Sequence, residues 1–215
     1  MTTPRFDFYS LVHKGQRKNL FELTVAAGQL AADDQPGREA LARSVEKTLS
    51  AIVDHAEAEE TFFGPLYREA APATGERLSA HHADMTAQLG ELRGALHLAL
   101  AGRSAASDLA LHRALARFTA SYLAHVDAEE ASLPELWAGF DDAALAGAQG
   151  ALVASHPAAT VQFNLRNMLP AASPGERVAF LSSLRRTMPP AAFTGVRELV
   201  GALVPAGEWA RIDAA

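Results

Sequence analysis

The feature that most constrains this chain is a repeat. His55-Ala-Glu-Ala-Glu-Glu60 returns seventy residues later as His125-Val-Asp-Ala-Glu-Glu130, so a His and a Glu four residues apart occur twice in the same local setting. Four residues is about one helical turn, which puts each pair on a single helix face. Stepping by three and four through the second segment gives Leu41, Val45, Thr48, Ile52, His55, Glu59, Phe62 and Leu66. The equivalent walk near the repeat gives Leu111, Leu115, Phe118, Tyr122, His125, Glu129, Ser132 and Leu136. Both read as buried stripes interrupted at the same step by a His and a Glu. An unpaired neutral polar group in such a seam costs roughly 2–7 kcal/mol and a carboxylate more, so a buried partner is required.

The other segments supply further histidines. Leu78, His82, Met85, Leu89, Leu92 and Leu96 form one walk, and His13 lies in line with Phe6, Leu20 and Thr24, with Tyr9 one turn before it. His13 and His82 are 69 residues apart, and His55 and His125 are 70 apart, so a helix pair is written twice. Proline and glycine fall between periodic segments and no stretch alternates apolar and polar residues, which predicts an all-α chain. Four long helices are expected over Pro4–Ala32, Pro36–Glu69, Thr74–Ala101 and Ser104–Ala138, separated by "DDQPG", "APATG" and "AGRSAA". Short connections imply antiparallel neighbours, hence an up-down-up-down four-helix bundle over residues 1–140. Residues 141–215 read as a helical C-terminal extension of shorter pieces cut by prolines, packed on the bundle or forming a contact with a second subunit or another protein. One piece opens with Ser173, Pro174 and Glu176, a capping box.

Composition narrows the chemistry. Of 215 residues, 49% are hydrophobic and 20% charged, enough for a full core. A net charge of −6 with scattered Lys and Arg argues against a nucleic-acid or anionic-membrane partner. With no cysteine, thiolate metal sites and cysteine nucleophiles are excluded, and any metal must be held by nitrogen and oxygen. No signal peptide or apolar run long enough for a bilayer is visible, so a cytoplasmic protein is expected. The sequence has neither the HExxH of zinc peptidases nor the Glu-x-x-His of ferritin-like bundles. An approximate two-fold axis would gather four imidazoles and two carboxylates, a donor set suited to two iron ions, with manganese or zinc as the alternatives.

The pattern H…HxxxE…H…HxxxE, carried by His13, His55, Glu59, His82, His125 and Glu129, resembles the hemerythrin family, and more closely its bacterial HHE cation-binding members, over about residues 4–138. The resemblance implies a non-heme diiron centre with a bridging oxo or hydroxo group that meets dioxygen, hydrogen peroxide or nitric oxide. His13 and His55 would bind one iron, His82 and His125 the other, and Glu59 and Glu129 would bridge both. The invertebrate oxygen carriers have a further ligand His where this chain has Leu78, and an HxxxxD where it has HxxxE. By that ligand count both metals keep an open position, which favours turnover of peroxide or reaction with nitric oxide over reversible carriage. An iron-dependent sensor or reservoir using the extension, and a metal-free bundle with a buried His and Glu network, are the competing readings.

The remaining polar residues divide by periodicity. His81 points about 100° from His82, so His82 is the expected ligand and His81 either a neighbour that supports it or the alternative ligand. Glu57, Glu60, Asp127 and Glu130 lie off the seam and read as solvated faces. His97, His112 and His156 fit no seam near the site. Tyr9 and Tyr122 read either as core residues whose hydroxyls find partners or as donors to, or phenolate ligands of, the metal centre.

Overall fold

The computed structural model describes residues 5–31, 33–102 and 104–215. The described elements are α1 (Ser10–Gly28), α2 (Gln35–Phe62), α3 (Gly64–Ala70), α4 (Pro72–Gly102), α5 (Ala105–Gly139), α6 (Asp142–Ser155), α7 (Ala158–Ala171), α8 (Pro174–Thr187), α9 (Pro190–Val200) and α10 (Ala206–Ala214), with a 3-10 turn at Gly201–Leu203. No strand occurs among the described residues, so the all-α expectation holds. No described helix is long and apolar enough to cross a membrane.

Helix starts follow local chemistry. Asp34 accepts from the Gly37 amide with Pro36 in the first turn of α2, and Ser104 forms a capping box with Ser107 at the start of α5. The predicted Ser173–Glu176 capping box opens α8. These side chains satisfy amides that no helical carbonyl reaches.

The long helices α1, α2, α4 and α5 form a helical bundle in which each packs on the next and α5 returns to α1. Neighbours run antiparallel. Thr24 meets Thr119 and Arg17 meets Glu130 between α1 and α5; Glu46 meets Arg93 and Glu60 meets His82 between α2 and α4. The seams close over Leu20, Val45, Leu49, Ile52, Leu92, Leu115 and Phe118, all buried. Burial of one such side chain contributes about 1.5–3 kcal/mol, so this cluster dominates the stability of that half. At the far end the Arg38 guanidinium pairs with both Asp108 oxygens and reaches the carbonyls of Ala31 and Ala99, linking the ends of α2, α4 and α5 to the connection between α1 and α2.

Several expected boundaries move. Pro4 and Ala32 lie outside the described residues, and α1 begins only at Ser10. The expected second helix, Pro36–Glu69, is broken at Phe63, because Pro65 in the Gly64-Pro65 pair cannot donate a backbone hydrogen bond. After the break Phe63 and Tyr67 are buried, whereas the expected stripe residues Phe62 and Leu66 are only half-buried. "APATG" is not a loop: Ala71 alone joins α3 to α4, and Pro72 begins α4, where its missing N–H costs nothing.

Residues after 140 lie along the bundle. Helix α6 packs on α2 and α7 on α1, where a Cβ at Gly15 would stand 3.0 Å from the Met168 backbone nitrogen. Only glycine permits that approach. Helices α7 to α10 share their own cluster around Leu169, Leu181, Val200, Trp209 and Ile212, braced by the bidentate Arg177–Glu208 pair at 2.7 Å.

Candidate metal centre

The interrupted stripes of α1, α2, α4 and α5 meet at one level of the bundle. His13 and His55 bring their Nε2 atoms to 3.3 Å of each other, while His82 and His125 pack with ring centroids 4.7 Å apart. Between these pairs lie the two carboxylates. Glu59 places Oε1 2.9 Å from His55 Nε2 and Oε2 3.7 Å from His82 Nε2. Glu129 places Oε1 3.2 Å from His125 Nε2 and Oε2 3.4 Å from His13 Nε2. Each carboxylate therefore offers one oxygen to each histidine pair. All six residues singled out by the stripes come together, in two overlapping sets able to hold a cation: His13, His55 and Glu59, and Glu59, His82, His125 and Glu129.

The cluster is buried and short of hydrogen bonds. Glu59 is 3% and Glu129 1% exposed, yet both Glu59 oxygens, Glu129 Oε2 and His82 Nε2 have no hydrogen-bond partner. Buried polar atoms are ordinarily paired, and unpaired carboxylates are the costliest to leave so. A cation bound by these nitrogens and oxygens satisfies every one of them, and the sulfur-free donor set fits iron, manganese or zinc. Without a cation, protons take over part of that role. Burial would raise the Glu59 carboxyl, but His55, His82 and His13 around it hold it well below its ordinary value. Burial likewise opposes charge on His82, but the carboxylates of Glu129, Glu59 and Glu60 around it lift it to about 10.

Two residues expected on solvated faces belong to the site. His82 Nδ1 donates to Glu60 at 2.8 Å, and His13 Nδ1 donates to Glu130 at 3.0 Å, where Arg17 also pairs at 2.6 Å. One residue past Glu59 or Glu129 the side chain turns about 100° and reaches the neighbouring helix while staying partly in water. By accepting the Nδ1 proton, each acid leaves Nε2 free and aims it at the centre. Burial would raise the Glu130 carboxyl, but His13 and Arg17 bring it down to about 2. The signal was present in the sequence as the doubled acid ending both hexapeptides. Glu57 and Asp127 are exposed, as expected.

Periodicity separates the adjacent histidines as expected: His82 enters the cluster, while His81 stands beside it with its ring edge-on to His125 at 5.7 Å. His97 is exposed, His112 Nδ1 donates to the Thr24 carbonyl, and His156 ends α6 before Pro157. Tyr9 stacks on His13 at 5.1 Å and its hydroxyl lies 3.3 Å from that of Tyr67. Tyr67, which the stripes did not single out, also bonds Ser132, whose hydroxyl donates to the Glu129 carbonyl. Tyr122 lies 6.0 Å from His125, centroid to centroid, with its hydroxyl buried and unpaired. Burial, reinforced by Glu129 and Glu59, raises the Tyr9 and Tyr122 phenols well above their ordinary value, so both are neutral in the metal-free protein.

The family model described as "Hemerythrin HHE cation binding domain" matches residues 6–136. No curated protein and no solved structure matches the chain.

Proposed function

This chain belongs to the hemerythrin family of HHE cation-binding domains, and on that premise we propose that it is a non-heme diiron protein that binds or reacts with dioxygen, hydrogen peroxide or nitric oxide. The observation that carries this reading is the sharing of both carboxylates: Glu59 and Glu129 each turn one oxygen to the His13–His55 pair and one to the His82–His125 pair. Two iron ions with a bridging oxo or hydroxo group would supply redox chemistry toward those small molecules. The chain's own residues do the rest. Glu60 and Glu130 hold His82 and His13 in one tautomer, and the buried seam excludes bulk water around His13, His55 and His125. Leu78, buried one turn before His82, offers no donor, so the protein supplies two imidazoles and one oxygen from each Glu to each position. That sparse supply favours peroxide or nitric oxide turnover over reversible carriage.

Metal analysis of the purified chain, with the visible spectrum recorded before and after dioxygen, peroxide and nitric oxide, tests the proposal. Two irons per chain and a spectrum that responds to at least one of the three are expected; a chain that takes up neither iron nor manganese sinks it. A second reading, an iron-dependent sensor or reservoir without fast turnover, draws on the contact of α7 with α1 at Gly15, two residues from His13. It predicts that metal loading changes hydrogen exchange in α7 and that peroxide is not consumed.

A further inference from the structure

The two halves of the centre differ in what covers them. On the His82 side a pocket of about 300 Å³ opens between α3 and α4, with Glu59, Glu129 and His82 at its floor and Tyr67 and Leu78 in its wall. The break at Phe63 creates it, because α3 leaves the line of α2 and turns Tyr67 inward, and Gly75 on α4 lies where a Cβ would stand 3.0 Å from the Tyr67 Cβ. Ser79 and Glu76 line the same pocket and are exposed. His82 is the least covered of the four imidazoles, its side chain 12% exposed against 0% for His13.

Beside the other half lies α7, against α1 at Gly15 next to His13 and against α2 where Thr160 meets Asp54 next to His55. Where α7 lies over α1 and α2, the void lined by Gln16, Thr48, Ile52 and Met168 holds about 10 Å³, room for roughly one water. The close approach at Gly15 leaves no slack between α1 and the α7 backbone.

We infer that small metal-binding molecules reach the centre through the α3–α4 pocket and arrive at its His82 half, while α7 closes the His13–His55 half. The inference rests on the metal-centre reading above and assigns one task to α7, which is to make access one-sided. The pocket is wide enough for azide or peroxide, and its lining mixes Phe63 and Leu78 with the charged Glu60, Arg68 and Glu76.

The test uses the absence of cysteine from the chain. Ser79→Cys and, separately, Glu76→Cys introduce a single thiol at the mouth, and Ser44→Cys places one at an exposed site on α2 outside the pocket lining. Each iron-loaded full-length protein is labelled with a bulky maleimide after loading, and the association rate of azide is followed by its charge-transfer band. Labelling at either mouth position is expected to slow azide by about tenfold or more with iron content unchanged, and labelling at Ser44→Cys to leave the rate unaltered. Equal rates in all three fully loaded proteins overturn the route. Loss of iron on labelling at the mouth also counts against it, because a group at the entrance should not reach the ligands. Failure of the unlabelled protein to take up iron at all overturns the metal-centre reading, and the route falls with it.

Discussion

Glu60 accepts the Nδ1 proton of His82 at 2.8 Å across the α2–α4 interface, and the same relation recurs between Glu130 and His13 across α5–α1. The repeated HxxxEE therefore does two jobs per copy. Its fourth-step Glu enters the centre, and the next Glu aims a histidine of the adjacent helix, so each helix pair is completed by the other.

Removing that support should weaken metal binding without unfolding the protein. Glu60→Gln keeps the shape but loses the charge that favours the correct tautomer, and is expected to lower metal affinity about 10–100-fold. Glu57→Gln, three residues earlier and exposed, should be neutral. Competition with a chromophoric chelator measures both, and equal affinities for the two variants would show that Glu60 is only a surface acid.

Metal uptake should release protons. With its folded value raised to about 10 from an ordinary 6.5, His82 is protonated at neutral pH in the metal-free protein, and its Nε2 must lose that proton to bind a cation. Affinity should therefore rise with pH, by about tenfold per unit for each proton displaced, and level off above about 10. The same shift contributes stability to the metal-free fold that is fully present below 6.5 and lost as pH rises through about 10. Calorimetric titration in buffers of different ionisation enthalpy reads the proton count; a count of zero at pH 7 contradicts the assignment.

How far the sequence was legible depended on the kind of contact. The seams were readable because a 3.6-residue period repeats the same face, and with the matched 69- and 70-residue offsets it pointed to His13, His55, Glu59, His82, His125 and Glu129 as one level. Periodicity could not show Glu60 and Glu130, since an off-seam side chain is solvated or paired according to which helix lies beside it. The break at Phe63 was masked by an apolar run through Phe62, Phe63, Leu66 and Tyr67 that reads as continuous helix on either phase. The partner of Arg38 was also hidden, because Asp108 lies seventy residues away on a helix not adjacent in the chain.

That pair supports a stability prediction. Arg38 is 2% exposed and its guanidinium depends on Asp108, so Asp108→Ala leaves a buried cation with only two backbone carbonyls. A loss of about 3–5 kcal/mol is expected. The centre lies at the other end of the core, so metal stoichiometry should not change. Thermal unfolding and metal analysis together decide it, and a loss under about 1 kcal/mol would mean water reaches the guanidinium.

Tyr67 and Tyr122, two of the three inward tyrosines, should respond oppositely to loss of their hydroxyls. Tyr67 OH joins Tyr9 to Ser132, and Ser132 has its own proton committed to the Glu129 carbonyl, so the chain runs in one direction: Tyr9 donates to Tyr67, and Tyr67 donates to Ser132. Tyr67→Phe removes the middle of that chain and leaves one buried donor and one buried acceptor unmatched, at a cost of about 1–3 kcal/mol. The Tyr122 hydroxyl is equally buried but has no partner to lose. Tyr122→Phe therefore deletes an unsatisfied group while keeping the ring against Phe118 and His125, and the metal-free protein should be unchanged or more stable by up to about 1 kcal/mol. Urea unfolding of the metal-free variants measures the contrast, and a destabilisation of Tyr122→Phe equal to that of Tyr67→Phe would show that its hydroxyl is held by a bond of its own.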